Sequence, residues 1–191
     1  MLADIPNPWR AFLSDIDALL GPRRGDGPRV ELHCVGGFVV AMCYHLARST
    51  ADLDVFEVVP PAALGPLVAA AGEGTPLAKK HGVYIDVGSR IATLPEGYAD
   101  RLTEIFPGTF VNLKLLVLDR YDLALSKLER NIDRDLEDVQ LLSRSEGFDL
   151  GVLRERYVRE VRPFVTGPVS RHDLTLELWV EMIEELRKDG G

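Results

Sequence analysis

Two aspartates and two glycines are the residues of this chain whose types and spacing could do chemistry. Asp52 and Asp54 are two positions apart, so on an extended strand both carboxylates project from the same face. Gly36 and Gly37 follow the apolar segment 30–35 and begin another apolar run. Without a Cβ they let a phosphate approach the backbone N–H groups at the start of a helix. The pattern therefore predicts a site for a divalent metal ion and a nucleotide phosphate.

A strand, a helix and a second strand are needed to position these four residues. The apolar pattern predicts them at 30–35, at about 38–46 and through the two aspartates. An amphipathic helix at 9–20 precedes them and ends at Gly21-Pro22. Further signals follow up to residue 118: a helix at 60–71, a loop at 72–76, strands at 83–87 and 111–118, and a segment at 99–106 that is either a short helix or a strand.

The remainder of the chain shows only helical spacing. Four helices are predicted there, at 121–131, 135–145, 150–161 and 171–188. Because the strand signals come first and the helices last, we predict an α/β fold of the α+β type. It consists of a mixed β-sheet with flanking helices, followed by an α-helical C-terminal half. We place the α/β core at 1–118 and the helical region at 119–191.

Composition excludes several classes of protein. With 191 residues and 46% hydrophobic content, the chain can bury a sizeable core without disulfides. Cys34 and Cys43 fall in apolar elements, so we expect buried thiols rather than a disulfide or a metal site. No apolar run is long enough to span a bilayer, and the N-terminus lacks the features of a signal peptide. We expect a cytoplasmic protein without a membrane partner.

Charge and histidine placement narrow the function further. A formal net charge of -8 argues against a surface that binds nucleic acid broadly. A local basic patch stays possible at 154–162, where four arginines either line a groove for a polyanion or belong to an ordinary solvated helix: Arg154, Arg156, Arg159 and Arg162. The four histidines lack ligand spacing and a neighbouring nucleophile pattern, so we expect neither a zinc site nor a Ser-His-Asp triad.

The glycine pair, the helix and the Asp-x-Asp strand together resemble the nucleotidyltransferase superfamily typified by DNA polymerase beta. The likeness includes the run Arg48-x-Thr50-x-Asp52-x-Asp54, which is common in small bacterial members. It implies an enzyme that transfers NMP from an NTP to an acceptor hydroxyl, with Mg²⁺ or Mn²⁺ held by the aspartates. Arg48 either clamps a phosphate or pairs with an acid at the sheet edge, and Thr50 orients the carboxylates by a hydrogen bond.

A third carboxylate is expected from a neighbouring strand. Asp86, between apolar Ile85 and Val87, is the candidate, and its alternative role is a strand-end aspartate that faces solvent. In the family a third acid commonly completes the metal site. The Gly36-Gly37 pair departs from the Gly-Ser form of many relatives, so the serine hydroxyl contact to phosphate is lost while the backbone contact is kept.

A second stretch resembles another element of the small bacterial nucleotidyltransferases, including those in toxin-antitoxin pairs. It comprises residues 121–128 and the Arg134-Asp135-x-x-Asp138 segment. The resemblance implies that Lys127 binds the phosphates and that Arg134, Asp135 and Asp138 border the site. Asp135 and Asp138 share one helix face. They either orient Lys127 or the metal shell, or stabilise the first turn of their helix through its dipole.

The acceptor is left open by the sequence. Relatives modify RNA such as tRNA, protein hydroxyls or small molecules, and a cognate antitoxin protein is the partner that the toxin-type branch implies. The resemblance covers about residues 30–142, and residues 150–191 carry no assigned motif. The alternative function is a nucleotide-binding or partner-binding module on the same fold that does not turn over.

Overall fold

A computed structural model describes residues 5–21, 28–44, 50–88, 93–144 and 147–189. The chain divides into two compact units. The first unit comprises the described residues of 1–90 and 102–118, and the second those of 91–101 and 119–191. The second unit therefore takes up a segment that lies between two strands of the first unit in sequence.

The first unit is a five-stranded mixed sheet with helices. Its strands are β1 (Val30–Cys34), β2 (Asp52–Val59), β3 (Tyr84–Val87), β4 (Thr103–Ile105) and β5 (Leu113–Val117). Their order across the sheet is β3-β2-β1-β5-β4. The β1–β2 and β4–β5 pairs are antiparallel, while the β1–β5 and β2–β3 pairs are parallel. Its helices are α1 (Trp9–Leu19), α2 (Gly36–Tyr44), α3 (Leu64–Ala71) and α4 (Pro76–His81), with a 3₁₀ turn at Pro61–Ala63.

The two faces of this sheet differ in chemistry. Residues paired across neighbouring strands project to the same side, so the register sorts the side chains. One face is apolar and buried, and it carries Leu32, Cys34, Leu53, Val55, Val58, Ile85, Leu115 and Val117. The other face, called the polar face below, carries Glu31, His33, Asp52, Asp54, Glu57, Asp86, Glu104 and Lys114. An antiparallel or mixed sheet with one apolar face buries that face and leaves the other for polar groups.

The second unit is helical. It contains a 3₁₀ turn at Tyr98–Arg101, α5 (Arg120–Leu125), α6 (Asp133–Ser143), α7 (Leu150–Arg156) with a π-helical continuation at Tyr157–Val161, a 3₁₀ turn at Arg162–Phe164, and α8 (Val169–Asp189). Arg101, at the end of the 3₁₀ turn that precedes β4, joins this turn to the helices. Its Nε lies 2.8 Å from Asp122 Oδ2, and its Nη2 lies 2.6 Å from Glu160 Oε2. Asp122 is fully buried, so the partly exposed Arg101 guanidinium pairs with a carboxylate in the core of the unit.

The predicted fold class is confirmed: a mixed sheet formed by the earlier part of the chain is followed by helices. The helix predicted at 121–131 is shorter, because the N–H groups of Lys127 and Leu128 bond three residues back, to the carbonyls of Ala124 and Leu125. Segment 99–106 contains both of its alternatives, a 3₁₀ turn and β4. Both cysteines are free thiols; Cys34 is buried, as expected, whereas Cys43 is only partly buried.

Helix α4 lies just beyond the predicted loop, where no element was expected. Thr75 caps it by accepting a hydrogen bond from the Ala78 N–H at 3.2 Å, and Pro76 occupies the first helical position. Gly82 ends it in the left-handed conformation. These residues also favour turns, so a helix of six residues between them was missed.

Candidate active site on the sheet

Three aspartates of the sequence pattern lie at neighbouring positions of β2 and β3. Asp54 is the register partner of Asp86, and Asp52 is the partner of Tyr84. The two strands are parallel, so Asp54 and Asp86 project from the same face, and Asp52 joins them because it is two residues from Asp54. All three side chains are partly exposed. The backbone thus brings the predicted carboxylates to one end of the polar face.

Gly36 lies directly against this group. A Cβ at position 36 would stand 1.9 Å from Asp54 Oδ2, and the residue has a φ of +70°. The neighbouring Val35 N–H donates to the Asp54 carbonyl at 2.9 Å, which holds the β1–α2 junction on β2. Glycine is therefore required at position 36 by both the backbone conformation and the closeness of the carboxylate. Gly37 lies in the first turn of α2 and is half-buried.

Thr50 provides the expected hydrogen bond to the aspartates. Its Oγ1 donates to Asp52 Oδ1 at 2.5 Å, and the side chain is buried. This contact restricts the orientation of the Asp52 carboxylate. Arg48, the other polar residue of the predicted run, lies outside the described residues.

The donor set of the polar face suits a hard divalent cation, because carboxylate oxygens are the ligands that Mg²⁺ prefers. The glycine at position 36 leaves the space beside Asp54 Oδ2 free of a side-chain methyl group. Within the described ranges, however, no three His, Cys, Asp or Glu side chains are already grouped so that they could hold a metal ion. The backbone therefore aligns the predicted ligands without gathering their side chains around one point.

Lys127, Asp135 and Asp138 also come together, within the second unit. Lys127 Nζ lies 2.6 Å from Asp138 Oδ2 and 3.7 Å from Asp135 Oδ1. All three side chains are buried, with Lys127 only 3% exposed. Arg134, by contrast, is exposed. Any phosphate that binds Lys127 must compete with the Asp138 carboxylate for its ammonium group.

Asp135 lies where it can perform both roles considered for it, at the first turn of α6 and facing Lys127. It accepts a hydrogen bond from the Ile132 N–H at 3.2 Å, at the start of α6, and two from Arg130, at 2.5 and 2.8 Å. Burial alone would raise the pKa of the Asp135 carboxyl, but the hydrogen bonds from Arg130 and the charge of Lys127 lower it below its usual value. Asp135 is therefore an ionised structural group that stabilises the α6 terminus and faces the lysine.

The chain was compared with models of known protein families. A family model described as "Nucleotidyltransferase of unknown function (DUF6036)" matches residues 11–187. The chain belongs to this family. The match includes nearly all of both compact units, so the helical unit is part of the family's architecture. No curated protein and no solved structure matches the chain. The family description supplies an activity class, nucleotidyl transfer, without a substrate.

The arginines at 154–162 are paired with carboxylates and do not form a basic groove. Each has a carboxylate partner within 2.9 Å: Arg154 with Glu177, Arg156 with Asp119, Arg159 with Glu155, and Arg162 with Asp173. The ordinary helix is therefore the alternative that the structure favours, since paired arginines offer little net charge to a polyanion. None of the helices in the described residues is long and apolar enough to cross a membrane.

His33 and Glu57 are among the polar-face residues that the sequence analysis did not single out. His33 is the register partner of Glu57, on the strand beside the Asp-x-Asp pair. The alternation of side chains along β1 could have placed His33 on the face opposite Leu32 and Cys34. No local pattern places Glu57 on that face. Glu57 is three residues from Asp54, so a regular strand would place it on the opposite face. A register shift between His33 and Cys34 inserts one extra residue in β2 and returns Glu57 to the polar face.

Proposed function

We propose that this protein is a metal-dependent nucleotidyltransferase that transfers NMP from an NTP to an acceptor hydroxyl. The observation that supports this most strongly is the alignment of Asp52, Asp54 and Asp86 on one face, with Gly36 packed against the middle carboxylate. A solvated strand face needs no glycine in that position. Membership of a nucleotidyltransferase family supports the same activity class.

The three aspartates and the residues packed beside them each have a role in this proposal. Asp52, Asp54 and Asp86 would hold Mg²⁺ or Mn²⁺, and Thr50 keeps the Asp52 carboxylate in one orientation. When bound, the divalent ion neutralises phosphate charge and aligns the reacting oxygens. The backbone at Gly36 and Gly37 accommodates the triphosphate where a side chain would exclude it.

The reaction itself is a substitution at the α-phosphorus. The acceptor oxygen forms a bond to that phosphorus, the bond to the bridging oxygen breaks, and pyrophosphate leaves. The acceptor hydroxyl must also lose its proton. RNA, protein and small molecules all carry hydroxyl groups. The labelling experiment below identifies which of these three classes is the acceptor. The predicted phosphate contact of Lys127 is a separate proposal, because that lysine is paired with Asp138 in the described helical unit.

Label transfer tests the proposal directly. The protein is incubated with each α-³²P-labelled NTP, with Mg²⁺ or Mn²⁺, and with total RNA, soluble protein or the small-molecule fraction of a cell extract. We expect metal-dependent label on one fraction, and none from the Asp52→Asn/Asp54→Asn variant. Glu73→Gln is the matched control, because Glu73 is an exposed carboxylate of the same unit that lies outside the polar face. Equal labelling by the wild type and the aspartate variant would contradict the proposal.

A second function is favoured by one observation. Among the described residues, no three side chains already form a metal-binding group. A nucleotide-binding or partner-binding module without turnover would fit that arrangement. Thermal melting separates the two, since a ligand that binds only the folded state raises the midpoint. A midpoint raised by NTP and Mg²⁺, with no transfer to any fraction, identifies the binding module. If the midpoint does not rise and no label is transferred, both functions are excluded.

A further inference from the structure

A histidine–carboxylate pair occupies the polar face beside the aspartates. His33 Nδ1 lies 3.5 Å from Glu57 Oε2, and His33 is 7% exposed, whereas Glu57 is half-exposed. On the other side, the register partner of His33 is the apolar Leu116 of β5. The imidazole therefore has a hydrocarbon neighbour on β5 and the Glu57 carboxylate on β2, an arrangement that restricts its orientation.

The register places this imidazole next to the Asp-x-Asp pair. Cys34 is the partner of Val55, so His33 and Asp54 are the residues that precede this pair on two antiparallel strands. Both project to the polar face. The extra residue of β2 lies between Asp54 and Glu57, the partner of His33, so His33 and Asp54 are diagonal neighbours across a bulge. An acceptor hydroxyl bound on this part of the polar face would lie between the imidazole and the Asp54 carboxylate.

The surroundings keep the imidazole neutral. Burial lowers the pKa of His33 below its usual value, against the opposing effects of Glu57 on β2 and Glu31 on its own strand. Lys114 on β5 lowers it further, although its ammonium group is ion-paired with Glu31 at 2.9 Å. A neutral imidazole can accept a proton at neutral pH.

We propose that His33 accepts the proton of the acceptor hydroxyl during nucleotidyl transfer, with Glu57 as the residue that positions the imidazole. This inference rests on the function proposed above. As the acceptor oxygen bonds to the α-phosphorus, its O–H bond breaks and the proton passes to a ring nitrogen of His33. Pyrophosphate leaves with the electron pair of the broken P–O bond. The imidazolium formed is stabilised by the Glu57 carboxylate and later releases the proton to solvent.

The experiment measures the initial rate of label transfer from an α-³²P NTP, across pH, with the extract fraction that the wild type labels. For His33→Asn we expect a loss of about 10²- to 10⁴-fold, the usual contribution of a positioned acid–base group. His81→Asn is the matched control, because His81 is also largely covered and lies beside a carboxylate, with its Nε2 2.8 Å from Asp15 Oδ2, but it belongs to α4. We expect its rate to be unchanged.

Two further measurements separate proton transfer from a structural role. Glu57 raises the pKa of His33, so Glu57→Gln should move the acidic limb of the rate profile to lower pH. The NMR titration of the His33 ring should shift in the same direction without any substrate. If His33→Asn melts early, His33→Ala with added imidazole replaces it, and we expect imidazole to restore the rate.

The outcomes also distinguish this inference from the proposed function. A wild type that transfers label and a folded His33→Asn variant that transfers it at the same rate, with the same acidic limb, overturn the role of His33 alone. A wild type that labels no fraction overturns nucleotidyl transfer and the role of His33 with it.

Discussion

The two charged clusters of this protein are built in opposite ways. The aspartates at 52, 54 and 86 lie at one end of the polar face and are partly exposed. Lys127, Asp135 and Asp138 are buried in the helical unit, where cations and carboxylates are paired at 2.5 to 3.7 Å. The same resemblance singled out both clusters. We propose on this basis that the first cluster receives a cation and a nucleotide, and that the second stabilises the helical unit.

The largest effect should come from breaking the buried cluster. Lys127→Met leaves the buried Asp138 without its ammonium partner, and we expect a loss of about 3–5 kcal/mol in the free energy of unfolding. Urea denaturation measures this loss. Arg134→Met is the control, since Arg134 is exposed, and it should change stability little. A Lys127→Met variant of full stability that fails to bind NTP would instead identify Lys127 as a phosphate ligand.

The next effect concerns the glycine beside the aspartates. Gly36→Ala should cost about 1–2 kcal/mol for the left-handed backbone and should also displace the Asp54 carboxylate, which abolishes metal-dependent transfer. Gly74→Ala separates the two causes, because Gly74 has a φ of +77° and nothing within 4 Å of its Cβ position. Denaturation and label transfer are compared for both variants. Full transfer by Gly36→Ala would exclude a functional role of the close packing of Gly36 against Asp54.

A smaller effect is expected from the hydrogen bond between Thr50 and Asp52. Thr50→Val removes the donor, which should cost about 0.5–1.5 kcal/mol of stability. Because hydrogen-bond partners hold metal ligands in the orientation that binds the ion, the apparent Mg²⁺ affinity should fall by about 10- to 100-fold. Titration of transfer rate against Mg²⁺ measures the change, and Thr50→Ser, which keeps the hydroxyl, should behave like the wild type.

The smallest effect is the pH dependence of the buried cluster. The folded-state pKa of Asp135 is lowered, so its ionised form contributes stability above the unfolded pKa of about 3.9, and this contribution is lost as pH falls through the folded value. Asp135→Asn should therefore flatten the fall of stability on acidification below about pH 4. Urea midpoints between pH 2 and pH 5 measure the slope, and an unchanged slope would contradict the ionised role.

How far the sequence could predict this structure depended on whether the pattern was local. The strand, glycine pair and Asp-x-Asp pattern needed only alternation and the special freedom of glycine, and Asp86 followed from its apolar neighbours. Glu57 could not be predicted, since its face depends on a one-residue register shift between two strands. The pairing of Lys127 with Asp138 joins two segments through packing, and no spacing rule fixes the burial that makes it structural.

Binding of Mn²⁺, followed by electron paramagnetic resonance with and without ATP, tests the contrast between the clusters most directly. It is compared in three folded proteins: the wild type, Asp52→Asn/Asp54→Asn and Asp135→Asn/Asp138→Asn. We expect the first pair of substitutions to abolish Mn²⁺ binding and the second to leave it intact at a temperature where the protein is folded. Binding that survives in Asp52→Asn/Asp54→Asn, or that is lost only in Asp135→Asn/Asp138→Asn, would contradict the assignment of the polar face as the metal and nucleotide site.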